Sequence, residues 1–220
     1  MFHKLTTGVL AAVMVAGLAG AAPLEGEATY DLLFRDGTLD GIDRDAELVY
    51  ERQVTNALKP EADDRDTGDI ALSFDGAEGD MALLQFRRDG KHRALGQFPA
   101  SVGNPMIMFF YESVVRDMAE AAGGSPYYIR NRVKDALIQT SDIEEGEATV
   151  NGKTVPTQTI RLYPFKDDPN TDRMQGWGDL ELRVTMSEEV PGWYMRLVAE
   201  ASDGEVYRSE VAFDRLDETP

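Results

Sequence analysis

The chain has 220 residues, contains no cysteine and carries a formal net charge of −18 at pH 7. So strong a negative charge argues against nucleic acids and anionic membrane surfaces as partners, because both would repel the protein. The lack of cysteine excludes disulfides, cysteine-ligated zinc and lipid attachment through a cysteine.

The first 21 residues have the pattern of a cleaved secretory signal peptide. A short basic start, Met1 to Lys4, precedes a mainly apolar run from Leu5 to Leu18, and Ala19-Gly20-Ala21 is a small-x-small cleavage site. The apolar run is too short to span a bilayer. We therefore predict a periplasmic or secreted protein, cleaved before Ala22. Its mature charge is −19, from 21 basic and 40 acidic residues.

Alternating apolar residues predict strands along most of the remaining chain. The first predicted strand covers Glu27 to Phe34, and others follow near 46–54, 70–74, 81–88 and 91–98. The stretch from Lys59 to Gly68 is polar and has no periodicity, so it is predicted to be a loop. Asp89-Gly90 is typical of a tight hairpin turn.

Residues 103–139 predict two consecutive helices. Asn104 suits the N-cap and Pro105 the first helical position, while Gly123-Gly124 suits a helix end. Ser125-Pro126 repeats the starting pattern. The apolar face of the first helix consists of Ile107, Phe110, Tyr111, Val114, Val115, Met118 and Ala122. The first turns are apolar all round, which predicts that this end of the helix is enclosed.

The second half of the chain returns to strands. Asn151-Gly152 and Asp203-Gly204 predict two more tight turns, between strands near 147–150 and 153–165 and near 193–199 and 206–213. One further strand is predicted near 180–184. About ten strands therefore surround the two helices. The predicted fold is α+β and mostly β, a single domain over 22–220 in which one curved antiparallel sheet, a half-barrel, wraps a central helical pair.

This order of elements resembles the periplasmic lipoprotein carriers of the LolA and LolB type, and uncharacterised envelope proteins of the same shape. The resemblance covers most of the mature chain and rests on element order and length, without a shared motif. It implies a protein that holds acyl chains between sheet and helices. No residue can be matched to a functional position of that family, so none is carried over.

Catalytic signatures are scarce. His92 is the one histidine beyond the predicted signal peptide, and HExxH, GxSxG, P-loop and GxGxxG patterns are absent from the sequence. Ser125 in GGSP superficially resembles a nucleophile, but capping explains it. Asp66-Thr67-Gly68 spells the aspartic-protease triplet, yet it occurs once and consists of ordinary turn residues. We interpret all three as structural.

Two acidic loops are weak candidates for calcium. Asp168, Asn170 and Asp172 have the 1-3-5 spacing of an EF-hand loop, with Asp179 at the twelfth position. Arg173 stands at the sixth position, where that loop needs glycine. A second acidic cluster consists of Asp36, Asp40, Asp43 and Asp45. We interpret both as solvated loops, and we predict no cofactor.

The predicted ligand-binding set combines soft apolar groups with basic and aromatic ones. Methionine and phenylalanine offer an adaptable surface for an acyl chain, and guanidinium groups can hold a carboxylate or phosphate headgroup. The same residues also fit an ordinary core and ordinary surface ion pairs. The set comprises Met106, Met108, Phe109, Phe110, Met118, Tyr127, Tyr128, Arg130, Arg132 and Trp193.

Three functions are compatible with these patterns. The first is a non-catalytic exported protein that binds an apolar or lipid-like ligand between sheet and helices. The second is an envelope protein with a packed core that binds a protein partner through its surface. The third, ranked well below, is a hydrolase whose two carboxylates converge in a cleft, about 5 to 10 Å apart.

Overall fold

The computed structural model describes residues 25–76 and 80–218, so the predicted signal peptide lies outside the described residues. Four α-helices occur in this part of the chain: α1 (Gly26–Leu33), α2 (Glu61–Asp66), α3 (Met106–Ala121) and α4 (Pro126–Leu137). Short 3₁₀ turns cover Ala100–Val102 and Thr171–Arg173. The strands are β1 (Glu47–Asn56), β2 (Gly68–Asp75), β3 (Met81–Arg88), β4 (Lys91–Pro99), β5 (Ile143–Val150), β6 (Lys153–Leu162), β7 (Glu181–Met186), β8 (Tyr194–Ala201) and β9 (Tyr207–Asp217).

The nine strands form one open antiparallel sheet in the order β4-β3-β2-β1-β9-β8-β7-β6-β5. Two meanders, β1 to β4 and β5 to β9, are joined where β1 pairs with β9, as in the register Tyr50↔Phe213. The edge strands β4 and β5 are consecutive along the chain, so α3 and α4 must carry the chain from one edge to the other. This arrangement confirms the predicted fold class.

The two helices predicted within 103–139 are present, and α3 starts at Met106, one residue later than predicted. The side chain of Asn104 accepts a hydrogen bond from the Met106 N–H at 3.0 Å, which satisfies a free donor of the first turn. Gly123 and Gly124 follow α3 with φ of 77° and 92°, conformations that glycine adopts readily. Pro126 then opens α4, which needs no N–H at that position.

Two predicted hairpin turns are also confirmed. Asp89 and Gly90 have φ of 50° and 71°, and Asn151 and Gly152 have φ of 51° and 77°. Two consecutive positive φ values define the turn type that matches the twist of the flanking strands. Each pair therefore fixes the register of its hairpin, β3 with β4 and β5 with β6.

Two predictions about the first third of the chain are wrong. The segment predicted as the strand Glu27 to Phe34 is the helix α1, which buries Thr29 and Leu33, four residues apart. Apolar residues at every second position of so short a segment also satisfy helical spacing. Among the described residues the sheet therefore has nine strands, where about ten were predicted. The predicted loop from Lys59 to Gly68 contains the short helix α2, which begins with acidic residues that favour a helix N-terminus.

The space between the sheet and α3 is filled by side chains. Residues of α3 pack with those of β1, β8 and β9 in one apolar cluster. The α3 side chains enclosed in this way include Met106, Phe110, Val114 and Met118, each no more than 2% exposed. This packing holds the helical pair on the sheet.

A buried ionic group links α3 to the sheet beneath it. Arg52 of β1 lies 3.0 Å from the Asp117 carboxylate, and both side chains are 1% exposed. Tyr207 of β9 donates a hydrogen bond to the same carboxylate at 2.8 Å, and Arg116 donates to its other oxygen at 2.7 Å. Burial and the Asp117 charge raise the pKa of Tyr207 well above its ordinary value, so its hydroxyl stays a donor.

The network continues to Asp66 at the end of α2. Arg65 donates to the Asp66 carboxylate at 2.7 Å, and Arg116 lies 3.7 Å from it. Burial raises the pKa of Asp66, but the hydrogen bond from Arg65 and the charges of Arg116 and Arg52 outweigh burial and leave the pKa below its ordinary value. The ionised carboxylate therefore stabilises the folded state above its unfolded pKa of about 3.9, and this contribution is lost as the pH falls through the folded pKa.

We expect Asp66→Asn to flatten the acid side of the stability profile. The free energy of unfolding, measured by urea denaturation between pH 2 and 7, should fall less steeply below pH 4 than in the unchanged protein. Asp43→Asn, at an exposed loop position, is the control and should keep the original slope. An acid limb of unchanged slope in Asp66→Asn would contradict this account.

Candidate functional site: a cavity between three helices

Helix α1 is held against the rest of the protein at both ends. Its first residue, Gly26, lies so close to the end of α4 that an added Cβ would stand 1.8 Å from the Ile138 carbonyl oxygen. At its other end, the Tyr194 hydroxyl donates to the Leu33 carbonyl at 2.6 Å and the Trp193 indole N–H donates to the Leu32 carbonyl at 3.2 Å. These contacts make α1 a wall beside α3 and α4.

A cavity of about 310 Å³ lies between α1, α3 and α4. Its apolar lining consists of Tyr30, Phe34, Met108, Tyr111, Val115, Val133, Leu137 and Ile138. Its charged lining residues are Glu112, Arg130, Lys134 and Asp135. This combination of apolar walls with a few polar groups is typical of small-molecule sites, whose volumes run from roughly 300 to 1,000 Å³.

Several lining side chains are apolar and yet exposed. Tyr30 is 43% exposed, Met108 46% and Ile138 62%, one from each side of the cavity. Tyr30 stacks on Phe34 with ring centroids 4.5 Å apart. Isolated exposed apolar residues are normal on a protein surface, but their convergence on one concavity marks a surface that a ligand can cover.

The charged groups of this cavity are only partly paired with each other. Arg130 donates two hydrogen bonds to the Glu112 carboxylate, both at 2.7 Å. This pairing, opposed by burial, lowers the pKa of Glu112, and Lys134 adds a nearby positive charge. Lys134 forms no ion pair within 4 Å among residues 25–76 and 80–218, so its positive charge acts on the cavity without a direct partner, and Glu112 is the carboxylate that feels it.

A second cavity, of about 330 Å³, lies next to the first along α1. It shares Tyr30, Phe34 and Met108 with the first cavity and adds Phe98 and Ile107. The stacked rings of α1 and the Met108 side chain therefore border both spaces. A chain longer than the first cavity could extend past Met108 into the second.

The structure separates the predicted ligand-binding residues into distinct places. Met106, Phe110 and Met118 are buried between the sheet and α3. Phe109 is half-buried with the Arg52 guanidinium 5.5 Å from its ring centroid. Met108 is exposed, contrary to the predicted enclosure of that helix end, and it lines the three-helix cavity together with Arg130. These last two are the predicted residues that meet at one concave surface.

Tyr127, Tyr128 and Arg132 lie elsewhere on α4. Tyr127 is 70% exposed. Tyr128 donates a short hydrogen bond to the buried Asp168 carboxylate, and the Arg132 Nε lies 3.5 Å from it. These contacts fasten α4 to the loop between β6 and β7.

The same contacts occupy the carboxylate that was a weak calcium candidate. Asp168 also accepts from the Asn170 backbone N–H at 2.9 Å. Burial raises the pKa of Asp168, but the bonds from Tyr128 and Asn170 and the Arg132 charge outweigh it and leave the pKa low. Asp172 is exposed on the following turn. Within the described residues, no three acidic or histidine side chains cluster as a metal site.

Trp193 packs at the opposite end of α1 from the cavity wall made by Ile138. It is buried, has φ of 78°, and lies beneath the Arg35 guanidinium, 4.7 Å from the ring centroid. Two clefts of about 520 and 430 Å³ border it. Trp177 stacks on Tyr207 inside the core, with ring centroids 4.2 Å apart. The first tryptophan therefore anchors α1, and the second fills the interior.

The residues weighed for catalysis have structural partners or lie apart. His92 sits on the edge strand β4, opposite Arg87. Asp66 is held by arginines as described, and the Thr67 hydroxyl accepts the Val54 backbone N–H at 3.0 Å. Ser125 is the exposed residue before α4.

Sequence reasoning missed the part of the site that α1 provides. Tyr30 and Phe34 are four residues apart, and this spacing brings two side chains onto the same face of a helix. That spacing, with Gly26 at the helix start, was the available signal. The partnership of α1 with Ile138 at the end of α4 has no signal in the sequence.

No protein-family model matches the chain, and a search of curated proteins finds no match. Among solved structures, the chain is similar to the lipoprotein LppX of Mycobacterium tuberculosis, with 9% identity and a TM-score of 0.36. The match covers 88% of this chain and 97% of that one. A similarity of this extent carries no inference about a ligand. Among residues 25–76 and 80–218, no helix combines the length and apolar character that crossing a membrane requires.

Proposed function

We propose that the protein is an exported, non-catalytic protein that binds one apolar, lipid-like molecule in the cavity between α1, α3 and α4. The observation that carries the proposal is the cavity itself, with apolar walls and exposed apolar residues from three helices around it. Export rests on the predicted signal peptide.

The physical basis of binding is the removal of apolar surface from water. Burying apolar surface is worth about 25 cal/mol per Å², and Met108, Tyr30 and Ile138 all have such surface to bury. The volume of about 310 Å³ is at the lower end of ligand-site volumes, so it suits one acyl chain better than two.

This site differs from the one expected between sheet and helices. Met106, Phe110 and Met118 are among the most buried residues of the protein, and they belong to the same apolar cluster as the buried residues of the sheet. Opening a ligand space there would require α3 to leave the sheet and break the buried pair of Arg52 and Asp117. The three-helix cavity needs no such movement.

Placing a charge at the edge of the cavity should weaken binding. We expect Met108→Glu to reduce the affinity for a fluorescent fatty-acid probe at least about tenfold, because a carboxylate must be desolvated against the chain and repels the anionic probe. Probe fluorescence in a titration measures the effect. Tyr127→Glu, exposed on the same helical pair but outside the cavity lining, is the matched control and should bind normally. Equal affinities for all three proteins would contradict the proposed site.

A second candidate is an envelope protein that binds a protein partner and no small ligand. The filled space between sheet and α3 and the exposed ring of Tyr127 favour it. Mass spectrometry of lipids extracted from gently purified protein separates the two candidates. A stoichiometric lipid supports the carrier, whereas protein that is free of lipid and also fails to bind the probe supports the interaction protein.

A further inference from the structure

One buried polar atom of the cavity lining has no partner. Tyr111, on the face of α3 that meets α1, is 5% exposed, and its hydroxyl forms no hydrogen bond with any residue in the described part of the chain. Its ring packs 6.3 Å from Phe34 and 5.4 Å from Phe110, measured between centroids. Burial raises its pKa far above the ordinary tyrosine value, so the hydroxyl remains protonated and can donate.

An unpaired buried hydroxyl is costly in a folded protein. Buried polar groups are nearly always hydrogen-bonded, and leaving one without a partner costs the desolvation of that group. The neighbouring buried tyrosines follow the rule. Tyr194 donates to the Leu33 carbonyl, Tyr207 donates to Asp117, and Tyr50 accepts from the Asn104 amide at 2.8 Å. Phenylalanine would fill the position of Tyr111 without this cost, so packing alone does not account for tyrosine here.

We infer that Tyr111 donates a hydrogen bond to an acyl carbonyl oxygen of the ligand. This inference rests on the proposed function and specifies its ligand as a single acyl chain that ends in a carboxylic acid or an ester. The chain lies against Val115, Val133 and Leu137, and the carbonyl end lies at Tyr111. The positive charge of Lys134, in the same lining, favours an acid over a neutral ester.

Three probes with the same ten-carbon chain distinguish the chemistry of the end group. Decanoate and methyl decanoate both offer a carbonyl oxygen, whereas decylammonium offers only donors. We expect Tyr111→Phe to weaken the binding of decanoate and of methyl decanoate about tenfold, the value of one good hydrogen bond. The binding of decylammonium should not change. Competition against the fluorescent fatty-acid probe on the purified protein measures all three affinities.

Two controls keep the inference falsifiable. Tyr127→Phe removes a hydroxyl from an exposed tyrosine of α4 that lies outside the cavity lining, and it should leave the three affinities unchanged. The thermal stability of Tyr111→Phe without ligand should be equal or higher, because an unpaired buried hydroxyl is removed. A uniform loss for all three probes, or no loss for any, overturns the inference while the site itself stands. If the unchanged protein binds none of the probes, the proposed function fails with it.

The relative affinity of the unchanged protein for the two carbonyl probes identifies the source of the acyl group. Tighter binding of decanoate, weakened by raised salt, supports a free fatty acid held in part by Lys134. Equal or tighter binding of methyl decanoate supports an esterified lipid.

Discussion

Asp117→Asn is expected to lower the free energy of unfolding by about 3 to 5 kcal/mol, because the substitution leaves Arg52 charged and buried without the carboxylate that pairs with it at 3.0 Å. For a domain of this size that corresponds to a fall in melting temperature of roughly 10 to 15 °C. Asparagine keeps the shape of the side chain, so the effect reports the charge. Chemical and thermal denaturation followed by circular dichroism measures it.

Two companion variants separate the buried charge from other effects. Asp135→Asn breaks an exposed ion pair with Arg132, both on α4. It should lower the free energy of unfolding by less than about 1 kcal/mol. The double variant Arg52→Met with Asp117→Leu removes both charges and should recover much of the lost stability. A small effect of Asp117→Asn, similar to that of Asp135→Asn, would show that the network does not anchor α3.

Gly26→Ala is expected to displace the start of α1 and weaken ligand binding while the sheet remains folded. The single added methyl group would stand 1.8 Å from the Ile138 carbonyl oxygen, well inside any tolerable contact, so the start of α1 must move away from α4. The cavity then loses the wall formed by Tyr30 and Phe34. We expect the affinity for the fatty-acid probe to fall at least about tenfold, with faster backbone amide exchange in α1.

Gly41→Ala is the matched control for this change. It lies in the same N-terminal segment and has nothing within 4 Å of an added Cβ, so it should bind the probe normally. Normal binding by Gly26→Ala, with unchanged exchange in α1, would mean that α1 is not a wall of the binding site.

The features that local sequence encodes were predictable. Asn104, Pro105 and the glycine pair after α3 fix the helix ends through backbone chemistry that each residue carries by itself. The turns at Asp89-Gly90 and Asn151-Gly152 need two positive φ values, which few other residue pairs supply. These signals were enough to place the helical pair between two groups of strands and so to predict the fold class.

The conformation of α1 could not be predicted from local sequence signals of this kind. In so short a segment, apolar residues at alternate positions include Tyr30 and Phe34, which also have the spacing of one helical face. Periodicity alone therefore cannot distinguish a strand from a helix here. Tertiary contacts stabilise the helix, because Trp193 and Tyr194 donate hydrogen bonds to the carbonyl groups at its end. Both partners lie about 160 positions away in the sequence.

The candidate site was only half predictable for the same reason. Met108 and Arg130 were recognised on the helical pair as soft and cationic groups. Met106, Phe110 and Met118 have the same chemistry, but they are buried in the core that α3 forms with the sheet, and only tertiary packing distinguishes them. The pairing of Tyr128 and Arg132 with Asp168 likewise depends on a loop 40 residues further along the chain.

Photolabelling with a diazirine fatty acid, followed by peptide mass spectrometry, tests most directly whether the ligand occupies the three-helix cavity. We expect saturable labels on residues from α1, α3 and the end of α4, chiefly Tyr30, Met108 and Ile138. Excess unlabelled fatty acid should remove these labels. Labels confined to Phe110 and Met118 would contradict the three-helix site and would place the ligand on the sheet side of α3. Labels that excess fatty acid does not remove would show that the fatty acid has no specific site.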